Sequence, residues 1–177
     1  GNTYWVRVYD FYTAAPATTT FTICVTHAGV SNDDCGGSIA LTPNSSCTTT
    51  NGDVAGATES LAGCSGDADD DVWYHFVATG TSHIITVDGS ASFDAVFEVY
   101  STSCAGTSIT CVDNTYSGGD IETTTLTGLT IGNTYWIRVY DYDLGAPATT
   151  TFTICIETVS PPANDECTGA IAATVNG

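Results

Sequence analysis

Positive charge is almost absent from this chain. Its 177 residues contain no lysine and only two arginines, Arg7 and Arg138, against 20 acidic residues, so the formal net charge at pH 7 is −18. A protein without a cationic surface cannot displace the counterions of a phosphate backbone, which excludes nucleic-acid binding. Repulsion among so many carboxylates also destabilises a compact fold unless cations neutralise part of the charge.

Other features are missing as well. The chain has no methionine, no signal peptide and no apolar run long enough to span a membrane. We therefore expect a piece of a longer array, without a membrane span. A long apolar pattern of helical period is absent, and no GxSxG-type nucleophile motif accompanies the three histidines. We expect that the chain is not an enzyme.

One stretch occurs twice. Residues 1–24 and 132–155 are identical at 19 of 24 positions, differing only at position 6 and positions 11–14 of the first copy. A second echo follows, because the NDDC of residues 32–35 returns as the NDEC of residues 164–167. The period of about 130 residues is that of one domain, which indicates successive domains rather than a solenoid.

This register divides the chain into three parts. We expect residues 1–31 to be the C-terminal strands of a preceding repeat with a linker, and residues 32–161 to be a complete repeat. Residues 162–177 would then be the first strand of a following repeat. Within residues 32–162 there are 17 acidic residues and a single arginine.

Short alternating runs rich in threonine, valine, isoleucine and aromatics predict strands, and Gly, Asn, Asp and Ser clusters separate them. Strands are predicted for Thr3–Asp10 and Thr19–Val25 in the first copy. Along the predicted strand Val72–Thr79, one face carries Val72, Tyr74 and Phe76. Along Phe93–Ser101, alternation predicts that Asp94 points outward and that the inward side chains are Phe93, Ala95, Phe97 and Val99. Within the full repeat, Val54–Ser60 reads as a weak strand, and Ile121–Thr130 with Asn133–Asp141 as a hairpin. Eight or nine antiparallel strands in about 130 residues predict an all-β, disulfide-stapled jelly-roll sandwich.

Six of the eight cysteines lie within one repeat, and none belongs to a CxxC pair. An even number per repeat is typical of disulfides in a secreted protein, so we expect an extracellular or cell-surface location. Three bonds are expected: Cys104–Cys111, Cys47–Cys64 and Cys35–Cys155. A rival scheme cross-links neighbouring repeats through Cys24–Cys35 and Cys155–Cys167.

The densest acidic cluster indicates a metal site. Asp67, Asp69, Asp70 and Asp71 repel one another, and a hard divalent cation with six to eight oxygen ligands, calcium, would relieve that repulsion. The alternative is a solvated acidic loop. A weaker second candidate is formed by Asp113, Asn114, Asp120 and Glu122, whose spacing is not that of an EF-hand.

The motifs NDDC, DADDDVWYHF, SFDAVFEVY, SCAGTSITC, GLTIGNTYWIRVYDY and ATTTFTIC together resemble a repeat common in large secreted surface proteins of Bacteroidetes. That repeat is similar to the bacterial pre-peptidase C-terminal domain and, more distantly, to the collagen-binding domain of clostridial collagenases. The resemblance implies a bacterial jelly-roll sandwich. It also implies calcium ligands at Asn32 and Asp33, beside the aspartates of residues 67–71, and equivalent ligands at Asn164 and Asp165 for the next repeat. Val72 stands where the simplest alignment places a further aspartate.

Aromatic side chains suggest a second kind of site. Trp136, Arg138 and Tyr140 alternate along one predicted strand, opposite its core face. An exposed stripe of this composition suits a carbohydrate platform or a contact between repeats. The alternative is packing beneath a loop or on the flank of a sheet.

Two functions remain open. The first is a structural component of an extracellular filament, stalk or adhesin, built from calcium-stabilised repeats that are joined covalently or complete one another by donated strands. Its partners would be neighbouring copies of the repeat. The second is a carbohydrate- or protein-binding accessory module of a secreted protein, with a glycan or a surface protein as partner.

Overall fold

The computed structural model describes residues 3–25, 29–160, 164 and 167–174, and every strand in these ranges lies between residues 39 and 158. Each of its two helices is a single 3-10 turn, at Cys35–Gly37 and Cys167–Gly169, and in the described ranges none could cross a membrane. The strands are β1 (Ile39–Leu41), β2 (Thr50–Asp53), β3 (Val72–Val77), β4 (Ser82–Gly89), β5 (Ala95–Ser101), β6 (Ser108–Val112), β7 (Ile121–Thr127), β8 (Thr134–Asp141) and β9 (Thr151–Thr158).

The nine described strands form two sheets, which confirms the predicted β-sandwich. One sheet has the order β1-β3-β8-β5-β6 and the other has the order β2-β9-β4-β7. All pairings are antiparallel except that of β1, which runs parallel to β3 with Ile39 opposite Tyr74. The strands β8 and β9 each occupy an interior position of their sheet, so each has a partner on both sides.

The core lies between the sheets and follows the predicted alternation. The side chains predicted to share one face of β3 are all buried, and so are those predicted to face inward before and along β5 and on β8. These residues are Val72, Tyr74, Phe76, Phe93, Ala95, Phe97, Val99, Tyr135, Ile137 and Val139. The second sheet adds Ile85, Val87, Phe152, Ile154 and Ile156.

Two local predictions are wrong. The predicted hairpin does not form, because β7 pairs with β4 in one sheet while β8 pairs with β3 and β5 in the other. Gly132, with φ of +85°, turns the chain between the sheets and donates its amide to the Ala78 carbonyl. The strand predicted at Val54–Ser60 lies earlier, at β2. There Gly52 packs so closely on the Phe152 ring that an added Cβ would stand 2.2 Å from it.

The six cysteines of the repeat are all in disulfides, but the predicted pairing is wrong. The bonds are Cys35–Cys104, Cys47–Cys155 and Cys64–Cys111, with Cα separations of 6.1, 5.4 and 6.1 Å. Neither bond of the rival scheme forms, and Cys24 and Cys167 are free and exposed.

The pairing was predicted wrongly because it depends on which sheet, and which face of that sheet, carries each cysteine. Cys111 lies on β6 directly opposite Glu98, on the outer face of its sheet, where it bonds to Cys64. Cys155 points away from the core of the other sheet, since its neighbours Ile154 and Ile156 point inward, and it meets Cys47 there. Cys35 precedes β1 in the opposite sheet and therefore cannot reach Cys155.

The first copy of the duplicated stretch behaves differently from the second. Residues 3–25 contain no strand and every residue is exposed, whereas their counterparts form β8 and β9. The predicted strands Thr3–Asp10 and Thr19–Val25 are absent because β8 and β9 already occupy the matching positions of this sandwich. The strand predicted within residues 162–177 is absent from their described part, residues 164 and 167–174, although the turn Cys167–Gly169 repeats the turn Cys35–Gly37.

Disulfide mapping tests this connectivity. Cleavage after every Asp and Glu leaves Cys35 with Cys47 on one peptide and Cys104 with Cys111 on another, since no acidic residue lies between the members of either pair. We expect these two peptides and the two that carry the remaining cysteines of the repeat to stay joined as one species in non-reducing mass spectrometry. Release of the peptide carrying Cys104 and Cys111 by itself would contradict the structure.

Candidate functional site

The outer face of the five-stranded sheet is covered. Arg138 and Tyr140, predicted to be exposed, are each 0% accessible, and Trp136 is half-buried. The segment of residues 60–66, which we call the covering loop, is hydrogen-bonded across this face. The predicted Trp136–Arg138–Tyr140 platform is therefore wrong, since two of its three members are packed beneath a loop.

Arg138 holds the covering loop in place. Its guanidinium donates to the carbonyls of Leu61 and Ala62, and it forms ion pairs with Asp71, at 3.0 Å, and with Glu98. The two carboxylates are as buried as the arginine, with side chains 0% and 5% exposed. A buried ion needs such compensation, because it has lost its hydration.

Further contacts fasten the same loop. The Tyr140 hydroxyl donates to the Ser65 carbonyl and accepts from the Cys64 amide, at 2.9 and 3.1 Å. Ser60 donates its amide and hydroxyl to Asp71 and accepts the Trp73 indole N–H. The Cys64–Cys111 bond adds a covalent tie to β6. The covering loop is thus fixed at both of its ends.

The residues predicted to bind calcium are spread over several environments. Asp71 accepts hydrogen bonds from Arg138 and Ser60, while the buried Asn32 donates a hydrogen bond from its side-chain amide to the Trp73 carbonyl. Asp33 accepts from the amide and hydroxyl of Thr58, and Asp67 is exposed. Asn164 is exposed, and Asp165 lies outside the described residues.

The second predicted loop is also engaged within the fold. Glu122 is buried and accepts from the amides of Asn114 and Thr115, and Asp113 accepts the Ser65 hydroxyl at 2.6 Å, while Asp120 is exposed. Among the described residues no three His, Cys, Asp or Glu side chains already converge as a metal would require. Calcium binding remains a prediction.

The structure does assemble an acidic cluster that the sequence reasoning missed. Asp70 accepts the Asp141 amide at 3.0 Å, and Asp141 accepts the Asp94 amide at 2.7 Å, so three carboxylates follow one another across three strands. We call Asp70, Asp141 and Asp94 the acidic row. Asp94 was predicted merely to point outward and Asp141 to end a strand, and the available signal was that both stand at strand ends in an acid-rich chain.

Burial perturbs these carboxyl groups. It raises the pKa of Asp70 to about 7, with added repulsion from Asp141 and Asp69, although the Asp141 amide partly offsets it. Burial likewise raises the pKa of Asp141 to about 6, assisted by repulsion from Asp143 and Asp94. The pKa of Asp94 is raised by burial and by Asp113. Negative charge in the acidic row is therefore costly.

A family model described as galactose binding domain-like, and T9SS-associated, matches residues 31–154. The chain belongs to this family. The family and the disulfides together mark a secreted or cell-surface protein, and domains of this kind are binding or accessory β-sandwiches. No curated protein matches the chain.

Two solved structures are similar in fold to this T9SS-associated domain. One is the pre-peptidase C-terminal domain of a collagenase from Bacillus anthracis, with 16% identity and a TM-score of 0.44, covering 67% of this chain and 93% of that one. The other is PliG from Aeromonas hydrophila, a periplasmic inhibitor of g-type lysozyme, with 16% identity, a TM-score of 0.40, and coverage of 67% and 96%.

Replacing Arg138 tests the central ion pairs. We expect Arg138→Met to lower the unfolding free energy by about 3–5 kcal/mol, because Asp71 and Glu98 would be left buried without a partner. Urea unfolding of the oxidised protein measures this change. Arg7→Met is the matched control, since Arg7 is the exposed counterpart of Arg138, and it should leave the midpoint unchanged. Equal effects of the two substitutions would contradict the role assigned to Arg138.

The acidic row predicts a pH dependence. Because the folded pKa values of Asp70 and Asp141 lie above the 3.8 of an ordinary aspartate, their contribution to stability is complete below about pH 4 and is lost as pH rises through 6 and 7. His83 acts oppositely, since burial lowers its pKa and the contribution of the neutral ring is lost as pH falls below 6.5.

Above pH 6.5 the contribution of His83 is constant, so the effect of the acidic row on stability can be measured separately. We expect the melting temperature in EDTA to fall between pH 6.5 and pH 8, and Asp70→Asn to reduce that fall. Asp88→Asn, on the exposed side of β4, is the control and should retain it. A melting temperature that is constant over this interval in the unaltered protein would contradict the perturbed carboxyl groups.

Proposed function

We propose that this chain is a non-catalytic structural unit of a secreted or cell-surface protein built from successive copies of the same sandwich. The supporting observation is the state of residues 3–25, which we call the strand-copy segment. It matches the sequence of β8 and β9, yet in this sandwich it has no partner strands. More specifically, we propose that the larger protein is a filament, stalk or adhesin whose sandwiches are stabilised by calcium.

The side chains of the strand-copy segment are those of a sandwich interior. Val6 and Val8 correspond to Ile137 and Val139, which are 0% exposed in β8, whereas Val6 and Val8 themselves are 66% and 50% exposed. The segment leaves ten large apolar side chains in water: Tyr4, Trp5, Val6, Val8, Tyr9, Phe11, Tyr12, Phe21, Ile23 and Val25. So large an exposed apolar surface marks an interaction site.

Its polar residues fit the same position. Arg7 and Tyr9 correspond to Arg138 and Tyr140, which fasten the covering loop, and Asp10 corresponds to Asp141 of the acidic row. Cys24 corresponds to Cys155 and is free here, while Cys155 is bonded to Cys47. A further copy of residues 29–131 would offer every one of these residues its partner.

A glycan-binding accessory module is the second candidate. The description of the family as galactose binding domain-like favours it. The side chains predicted to form a sugar platform do not, because Arg138 and Tyr140 are buried. A glycan-binding function is also compatible with a protein built from successive sandwiches.

A tandem fusion tests the proposal. Residues 29–131 are placed directly before Gly1, which recreates the native Ile131–Gly132 junction because Gly1 corresponds to Gly132. Hydrogen exchange is then compared for residues 3–25 in the fusion and in the 177-residue chain. We expect strong protection of residues 3–10 and 19–25 in the fusion alone, matching β8 and β9.

The control fusion carries Val6→Asp and Val8→Asp, which would place two charges in the core of the added sandwich. It should lose the protection while β8 and β9 retain theirs. Equal exchange of the strand-copy segment in both fusions would contradict the proposal. Self-association of the unfused chain, removed by the same two substitutions, would indicate donation of strands between chains.

A further inference from the structure

Aspartates stand at one end of four adjacent strands in the five-stranded sheet. Asp70 lies two residues before β3, Asp141 is the last residue of β8, Asp94 directly precedes β5, and Asp113 directly follows β6. Because these strands alternate in direction in the order β3-β8-β5-β6, all four residues lie at the same end. In the acidic row Asp70 and Asp141 are buried and Asp94 is half-buried.

Asp70 and Asp141 each have one carboxylate oxygen that accepts a hydrogen bond and one without a partner. The first oxygens of Asp70 and Asp141 accept backbone amides, at 3.0 and 2.7 Å. The other oxygens of these two side chains, and Oδ1 of Asp94, are buried without a hydrogen-bond partner. The residues Asp70 and Asp141 are only 6% and 1% exposed, so water does not replace the missing contacts. Buried acceptors without partners are rare in stable proteins.

Neither arginine of the protein is free to neutralise the acidic row. Arg138 is committed to Asp71 and Glu98, Arg7 is exposed in the strand-copy segment, and lysine is absent. Neighbouring carboxylates increase the excess of charge, since Asp69 and Asp113 also present a buried oxygen without a partner. Neutralisation must therefore come from outside the chain.

We propose that the acidic row, Asp70, Asp94 and Asp141, binds a divalent cation of the calcium class. The donors are all oxygen atoms, which suits hard cations rather than zinc. The three side chains do not already converge on one point, and calcium accepts irregular sets of six to eight ligands that include carbonyls and water, whereas magnesium requires near-ideal octahedra. This set shares only Asp70 with the site predicted from the sequence.

Such an ion would join parts of the fold that are distant in sequence. Asp70 precedes β3, Asp94 precedes β5 and Asp141 ends β8, so one ion would connect the ends of three strands. Asp69, beside Asp70, already accepts the Gly145 amide from the loop after β8. Binding would therefore hold this end of the sheet together and stabilise the folded state by mass action.

The test is a thermal melt of the oxidised 177-residue chain at pH 7.5, in EDTA, in calcium and in magnesium. With calcium at about a hundredfold excess over its dissociation constant, we expect the melting temperature to rise by about 5 °C or more, and by less in magnesium. Calorimetric titration with calcium chloride measures the affinity. If calcium does not raise the melting temperature, the proposal is overturned, and the acidic row is neutralised by protons only.

Three variants locate the ion. Asp141→Asn and Asp94→Asn should each abolish the calcium-dependent rise, and the second, at a less buried residue, decides the matter if the first does not fold. Asp33→Asn is the matched control, because Asp33 belongs to the site implied by resemblance and not to the acidic row, and it should retain the rise. Loss of the response in Asp33→Asn alone would overturn the proposed ligand set.

Discussion

The buried guanidinium of Arg138 is the constraint on which the covered face of the sandwich depends. It is the only arginine or lysine side chain in the described part of the sandwich, and it lies between two buried carboxylates, Asp71 and Glu98. Both must stay paired, because an ion that loses its partner in a dry interior has neither water nor countercharge. The arginine also donates hydrogen bonds to two carbonyls of the covering loop. It thereby converts a sheet face that would otherwise be solvated into a second packed layer, which includes Tyr140 and Val96.

The rest of the acidic chain has no such partner, and this shapes its chemistry. Aspartates at strand ends are commonly solvated, but here loop packing buries them, so their pKa values rise and some of their oxygens lack hydrogen bonds. A protein with no lysine can accommodate this arrangement through protons or through external cations. In a secreted or cell-surface setting, a dissolved divalent ion is a readily available counterion.

The duplicated stretch shows how far local sequence goes. Residues 134–141 and their copy share nearly all side chains, yet one is a central strand and the other is exposed and without a strand partner. Strand propensity and alternation therefore allow a strand without ensuring that it forms. They indicate only that Ile137 and Val6 each lie on the apolar face of a potential strand. Pairing decides the conformation, since a strand's amides and carbonyls need neighbours on both edges.

Much of the fold was predictable from the sequence. Alternation correctly identified the inward faces of β5 and β8, and the even number of cysteines indicated disulfides, because side-chain period and composition are local properties. Tertiary structure decided the rest: which cysteines meet, that β7 and β8 belong to different sheets, and that Arg138 is buried. Those outcomes depend on which strands become neighbours and on which loop covers which face. Such contacts join residues far apart in the chain, and no local pattern encodes them.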